Sequence, residues 1–212
     1  MISIEGICNK ISNTISRELN LDSEKTAVIN YGIFAFIQML MSILIVFLVG
    51  FIFNVAIESL IILLTISILR QQSGGIHASS PRICTIIGTI LSVGMAVVIK
   101  KANIDLEIIY VAGVIIFIWS YYSVYKLVPV DSPSKPIKTE AKRKRLKKSS
   151  LLILSVYLII VLGSILLYYA TRKANLLVYS GCIYIGLMWQ IFSLTRCGHV
   201  VLGKLLNRRE LI

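Results

Sequence analysis

Charge is scarce in this sequence. Only 15% of its 212 residues are Asp, Glu, Lys or Arg, where a soluble domain usually carries about a quarter. Acid is scarcer still, at 10 Asp and Glu against 22 Lys and Arg, and there are only 2 histidines and 4 prolines. The 4 cysteines (Cys8, Cys84, Cys182, Cys197) include no CxxC pair. Each shortage excludes something. So few charges cannot solvate an ordinary water-soluble domain. The cysteine spacing fits no disulfide framework, and all four are expected as free thiols. Residues 1–25 mix charge with isoleucine and contain no cleavable apolar core, so no signal peptide is expected there.

What the sequence has in place of charge is apolar length. Hydrophobic residues make up 57% of the chain, and its mean hydropathy is +0.84. A helix needs roughly 20 mostly apolar residues to cross a ~30 Å hydrocarbon core. Thr26 to Ile57 is uncharged, and only Glu58 interrupts the run before Arg70. That length predicts two spans with a tight turn near Gly50 to Asn54. Further uncharged runs are Ile83 to Ile99, Ile108 to Tyr125, Leu151 to Thr171 and Ala174 to Thr195. The expected fold is an all-α integral membrane protein of about six transmembrane helices. Ile4, Ile7, Ile11 and Ile15 recur at helical spacing, which predicts an amphipathic surface helix ahead of the spans.

The net charge of +12 suggests nucleic acid until its distribution is considered. With the N-terminus in the cytoplasm, the inside segments 1–25, 70–82, 126–150 and 196–212 hold 18 of the 22 Lys and Arg. Loops that are positive inside are the signature of membrane orientation. Both termini are therefore expected in the cytoplasm, and no nucleic-acid partner is expected. One membrane domain covers 1–212: an interfacial segment 1–25, four spans in 26–125, a cytoplasmic loop 126–150, two spans in 151–195 and a tail 196–212. In the loop, Pro129, Pro133 and Pro136 disfavour helix through the first half. Lys142, Arg143, Lys144 and Arg145 then open a basic cluster reaching Lys148. It can touch anionic lipid headgroups, or it can receive an acidic peptide segment.

Chemistry concentrates in "RQQSGGIHASSPRICTIIGT", residues 70–89. Ser79 or Ser80 is a suitable N-cap, and proline suits a first helical position, so Pro81 is expected to start the third span. Cys84 then falls in that helix's first turn. There the helix dipole and Arg82 favour the thiolate and make Cys84 a competent nucleophile. His77 lies seven residues earlier, in a loop made pliable by Gly74 and Gly75. An imidazole in reach of Cys84 would take the thiol proton and later deliver it to a leaving amine. Ser80, Gln71 and Gln72 are the available candidates for a third, orienting member. The bland alternative is a buried structural cysteine beside an interfacial histidine. A second pair, Cys197 and His199, could join Cys84 and His77 in a zinc site, but C-x-H is not a usual ligand pair. No metal or other cofactor is expected.

The loop resembles that of the accessory gene regulator B (AgrB) family, the membrane cysteine endopeptidases of Gram-positive quorum sensing. The resemblance rests on Arg70, "GGIHA" at 74–78, Cys84 and the His-to-Cys spacing of seven. It extends to chain length, the surface-lying N-terminal segment, about six spans and a basic loop after the fourth. It implies a thiol protease with His77 and Cys84 as catalytic dyad, and Arg70 and Gly75 as supporting positions. It implies a substrate too: an AgrD-type precursor peptide, cut on its C-terminal side through an acyl-enzyme thioester. The precursor's own Cys or Ser would close a thiolactone or lactone ring, giving the autoinducing peptide of a virulence-regulating circuit. A homodimer in the cell membrane is also implied. The competing classes are a membrane transporter, for which Glu58 is the sole ionisable candidate within a span, and a non-catalytic scaffold.

Overall fold

The computed structural model describes residues 4–75, 81–102, 105–130 and 139–205, apart from some side chains at segment ends. These residues form eight helices: α1 (Ile4–Glu18), α2 (Ser23–Ile52), α3 (Ala56–Ser73), α4 (Pro81–Lys101), α5 (Leu106–Leu127), α6 (Glu140–Thr171), α7 (Asn175–Leu194) and α8 (Arg196–Leu205). Five of them, α2, α4, α5, α6 and α7, are long and apolar enough to cross a membrane. The sixth long helix, α3, is apolar in its middle but carries Glu58 in its first turn and a polar last turn from Arg70 to Ser73. The chain is an all-α membrane protein.

The chain divides into two compact units, residues 1–45 and 46–212. In the first, α1 is amphipathic, but its buried side is not the isoleucine stripe. Cys8 and Ser12 are almost fully buried, whereas Ile7 and Ile11 are each 41% exposed. The helix thus turns small residues inward and leaves isoleucines for lipid. Asn30 Nδ2 donates to Asn9 Oδ1 at 2.6 Å and ties α1 to α2. Asp22 caps α2, its Oδ1 accepting from the Lys25 backbone N–H at 2.7 Å.

In the second unit, α7 is the hub. It packs against α3, α4, α5, α6 and α8, and 61% of its most apolar window is buried, against 6% for α2. Small residues let the helices approach, since lipid tails supply no hydrophobic drive between spans. A Cβ on Gly186 would stand 2.7 Å from Thr65 Cβ of α3. Leu69, Val124, Leu154, Leu187 and Ile191 are among the buried hydrophobic residues of this unit's core. Tyr184 is buried yet satisfied: its hydroxyl donates to Ile109 O at 3.1 Å.

The turn between α2 and α3 falls at residues 53–55, where Asn54 adopts φ 55°. It lies within the region the sequence marks for it. The basic cluster, beyond the prolines that disfavour helix, has a defined backbone. Lys142 to Lys148 is helical, part of the 32-residue α6 that continues into the apolar run. Lys, Arg and Glu are good helix formers, and past Pro136 nothing in the chain stops a helix. Among the described residues, α5 ends at Leu127 and α6 starts at Glu140.

Candidate functional site

The site is built where α3, α5 and α7 end. α3 continues through Gln71 and Gln72 to Ser73, then two glycines take positive φ, 77° at Gly74 and 133° at Gly75. Side chains avoid these conformations. Space forbids them too. A Cβ on Gly74 would collide with Val130 O, and one on Gly75 would lie 3.2 Å from Ser193 Oγ. The Val130 N–H donates to Ser73 O at 3.0 Å, so the strand-like segment after α5 runs alongside this turn.

Gln190 of α7 closes the arrangement. It is fully buried, and its Nε2 donates to Ser73 Oγ at 3.0 Å and to Gly74 O at 2.9 Å. Three helix ends are thereby fastened to residues 73–75 by backbone and amide hydrogen bonds, without an ion pair among these contacts. Gln190 Oε1 has no hydrogen-bond partner among the described residues. Sequence reasoning missed Gln190, although a glutamine inside an otherwise apolar span was the available signal.

Arg70 sits in the last turn of α3 and is half-buried, its Nε without a hydrogen-bond partner among the described residues. Cys84 is the fourth residue of α4, which begins at Pro81 as its sequence demands. It is a free, half-buried thiol, and it lies close enough to Arg70 for a Coulombic interaction. The structure therefore leaves Cys84 within electrostatic range of Arg70 and fixes Gly75 against α7. His77 and Ser80 lie outside the described residues, as does the side chain of Arg82.

Lys142, Arg143, Lys144 and Arg145 occupy the exposed first turns of α6, where Lys144 pairs with Glu140 at 3.0 Å. Of the residues in the zinc alternative, Cys84 opens α4 and Cys197 is exposed on α8, while the side chains of His77 and His199 are outside the described set.

Comparison with known proteins fits this arrangement. The family model described as Accessory gene regulator B matches residues 8–194. This chain belongs to the AgrB family. An AgrB-like protein of Clostridium perfringens (strain SM101, type A) is 44% identical over 202 residues, covering 94% of each chain. A second, AgrB-like protein 2 of C. perfringens strain 13, is 43% identical with the same coverage. A more distant AgrB-like protein of Clostridium acetobutylicum is 20% identical, over 95% of this chain and 90% of its own. No solved structure matches. Membership gives the chain a role in accessory gene regulator quorum sensing.

Proposed function

We propose that this chain is a membrane cysteine endopeptidase that removes the C-terminal tail of an AgrD-type precursor and leaves the remainder poised for cyclisation. The observation that carries the reading is the placement of Cys84 in the first turn of α4, within electrostatic range of Arg70. A helix's first turn with a cation in electrostatic range is the kind of surroundings in which nucleophilic cysteines are found in general.

In this mechanism His77 takes the Cys84 proton, and the sulfur attacks the scissile carbonyl carbon. The C–N bond breaks as His77 returns the proton to the leaving amine, and a thioester remains on Cys84. The precursor's own thiol or hydroxyl then attacks the thioester carbonyl. Its proton passes through His77 to Cys84, and a thiolactone or lactone departs. Gly75 and Gln190 hold the turn that leads into His77, and Arg70 carries the charge beside the sulfur. Lys142, Arg143, Lys144 and Arg145 attract the acidic tail of the precursor, steering rather than reacting.

The charge distribution supports an orientation with both termini, the 70–82 segment and the basic start of α6 in the cytoplasm, since 18 of 22 Lys and Arg then lie inside. A precursor with an amphipathic leader would meet Cys84 at that interface, already concentrated by the membrane. A transporter reading has less to stand on. Glu58, in the first turn of α3, pairs with Lys100 at 2.8 Å, whereas transport sites use intramembrane charge that changes partner.

The test uses a precursor whose ring-closing Cys or Ser is changed to Ala, incubated with the full chain in lipid vesicles. The expected result is a peptide adduct on Cys84 by mass spectrometry, followed by slow release as a linear acid. Cleavage of normal precursor by the Cys84→Ala protein would overturn the reading.

A further inference from the structure

A cavity of about 540 Å³ opens at the end of α5 and the junction of α7 with α8, lined by Trp119, Tyr122, Ser123, Lys126, Thr195 and Arg196 together with Leu127. Its chemistry is mixed in a particular way. Two cations from elements far apart in sequence line it, and among the described residues no carboxylate does. Lys126 donates to Tyr122 Oη at 3.2 Å and lies over that ring, which holds the ammonium at the rim. Thr195 caps α8, its hydroxyl accepting from the Gly198 N–H at 3.1 Å, so the positive end of that helix also lies at the cavity.

The aromatic wall continues into lipid-facing surface. Val111, Val114, Ile115, Ile118, Tyr122 and Tyr125 of α5 follow one another at helical spacing and are all more than 40% exposed. The stripe is apolar along the span and becomes aromatic, then basic, over the last two turns. A tryptophan, tyrosines and a lysine at that level mark the depth of lipid headgroups. A soluble anion would use the cations and leave the stripe unused. A molecule with an anionic head and an apolar tail would use both.

We propose that this cavity is a binding site for an anionic phospholipid, its phosphate between Lys126 and Arg196 and an acyl chain along the outer stripe of α5. The lipid would join two elements that also secure the loop. Lys126 lies four residues before Val130, which bonds Ser73, and Arg196 follows Ser193 and Leu194, which pack on Gly75. The proposal does not depend on the peptidase reading, because its test reads lipid contact and not cleavage.

The chain has 2 tryptophans, so Trp189→Phe leaves Trp119 as the only reporter, on the cavity wall. The full chain is reconstituted in vesicles containing brominated phosphatidylglycerol or brominated phosphatidylcholine at matched mole fractions, and quenching of Trp119 is measured. The expected result is a preference for phosphatidylglycerol of roughly 5- to 30-fold, the scale on which one or two surface cations act on a monoanion. Lys126→Gln with Arg196→Gln should abolish it, and each single change should reduce it. A charge-matched control, Lys142→Gln with Lys144→Gln, should leave it in place. Equal quenching by both lipids overturns the proposal. So does a preference that survives the Lys126 and Arg196 changes, which would mean diffuse attraction to a basic protein. A shift of Trp119 emission in zwitterionic vesicles on adding inorganic phosphate or a soluble acidic peptide, lost with Lys126→Gln and Arg196→Gln, would assign the cavity to a soluble anion and overturn it as well.

Discussion

The two ends of α3 are built on different principles. At its start, Glu58 is 6% exposed and pairs with Lys100 of α4 at 2.8 Å, and Lys100 also donates to Asn54 O. That end closes the α3–α4 hairpin, and its charges have partners. At the other end the fastening is made by uncharged groups: Gln190, Ser73, Gly74 and Val130. Two successive glycines there take positive φ, which side chains avoid, and both are packed against neighbouring segments. Where local rules are broken together, a functional site is the usual reason. One end of α3 is architecture, and the other is the candidate site.

The strongest way to break this comparison is at Cys84. Cys84→Ala should abolish precursor cleavage and the acyl adduct while leaving the protein folded, since the side chain is only half-buried. His77→Ala should cost about 10²–10⁴-fold, the range of general acid–base catalysis. Mass spectrometry of precursor and protein reads both, and a Cys84→Ala protein that still cuts would remove the site from this end of α3.

Next come paired changes at the two ends. Gln190→Leu leaves Gly74 O and Ser73 Oγ without their donor, a loss of about 1–3 kcal/mol. Expressed through the loop, it should lower cleavage roughly 5- to 100-fold, with Gln190→Asn recovering part of the loss. Gly75→Ala should act in the same direction, because it forces a side chain into positive φ beside Ser193. Glu58→Gln breaks the ion pair at the opposite end. Lys100 is partly exposed and can rehydrate, so the cost should be about 1–2 kcal/mol of stability, below that of a fully buried pair. Cleavage per folded molecule should be unchanged. Thermal unfolding in detergent measured beside turnover separates the two, and a Glu58→Gln protein as impaired in turnover as Gln190→Leu would erase the distinction.

The smallest effect is expected outside both ends. Neutralising Lys142, Arg143, Lys144 and Arg145 should raise the precursor concentration needed for half-maximal cleavage by several-fold. Turnover of bound peptide should hardly change, and the difference should shrink as salt rises, because exposed charges are screened over about 10 Å at 0.1 M. Titrating precursor at low and high salt checks this.

Much of this protein was legible in one dimension because the bilayer imposes simple rules. Spans have to be apolar and long enough, every backbone group has to be satisfied within a helix, and cations stay inside. Those rules make the helices readable from Thr26 onward, with the turn near Asn54 and the start of α4 at Pro81. They could not reveal that the basic cluster continues α6 as helix, since good helix formers also serve in loops. At the site, the sequence by itself determined the chemistry on offer: a cysteine in a helix's first turn, an arginine, a histidine and two glycines in one short segment. Only the tertiary structure decided which distant residues hold that segment. Gln190 and Val130 reach Ser73 and Gly74 across more than fifty residues of sequence, and such contacts follow from how helices pack. No local pattern records packing. Periodicity reports which face of a helix is apolar, but the partner that a buried amide finds depends on the depth and rotation at which two helices meet.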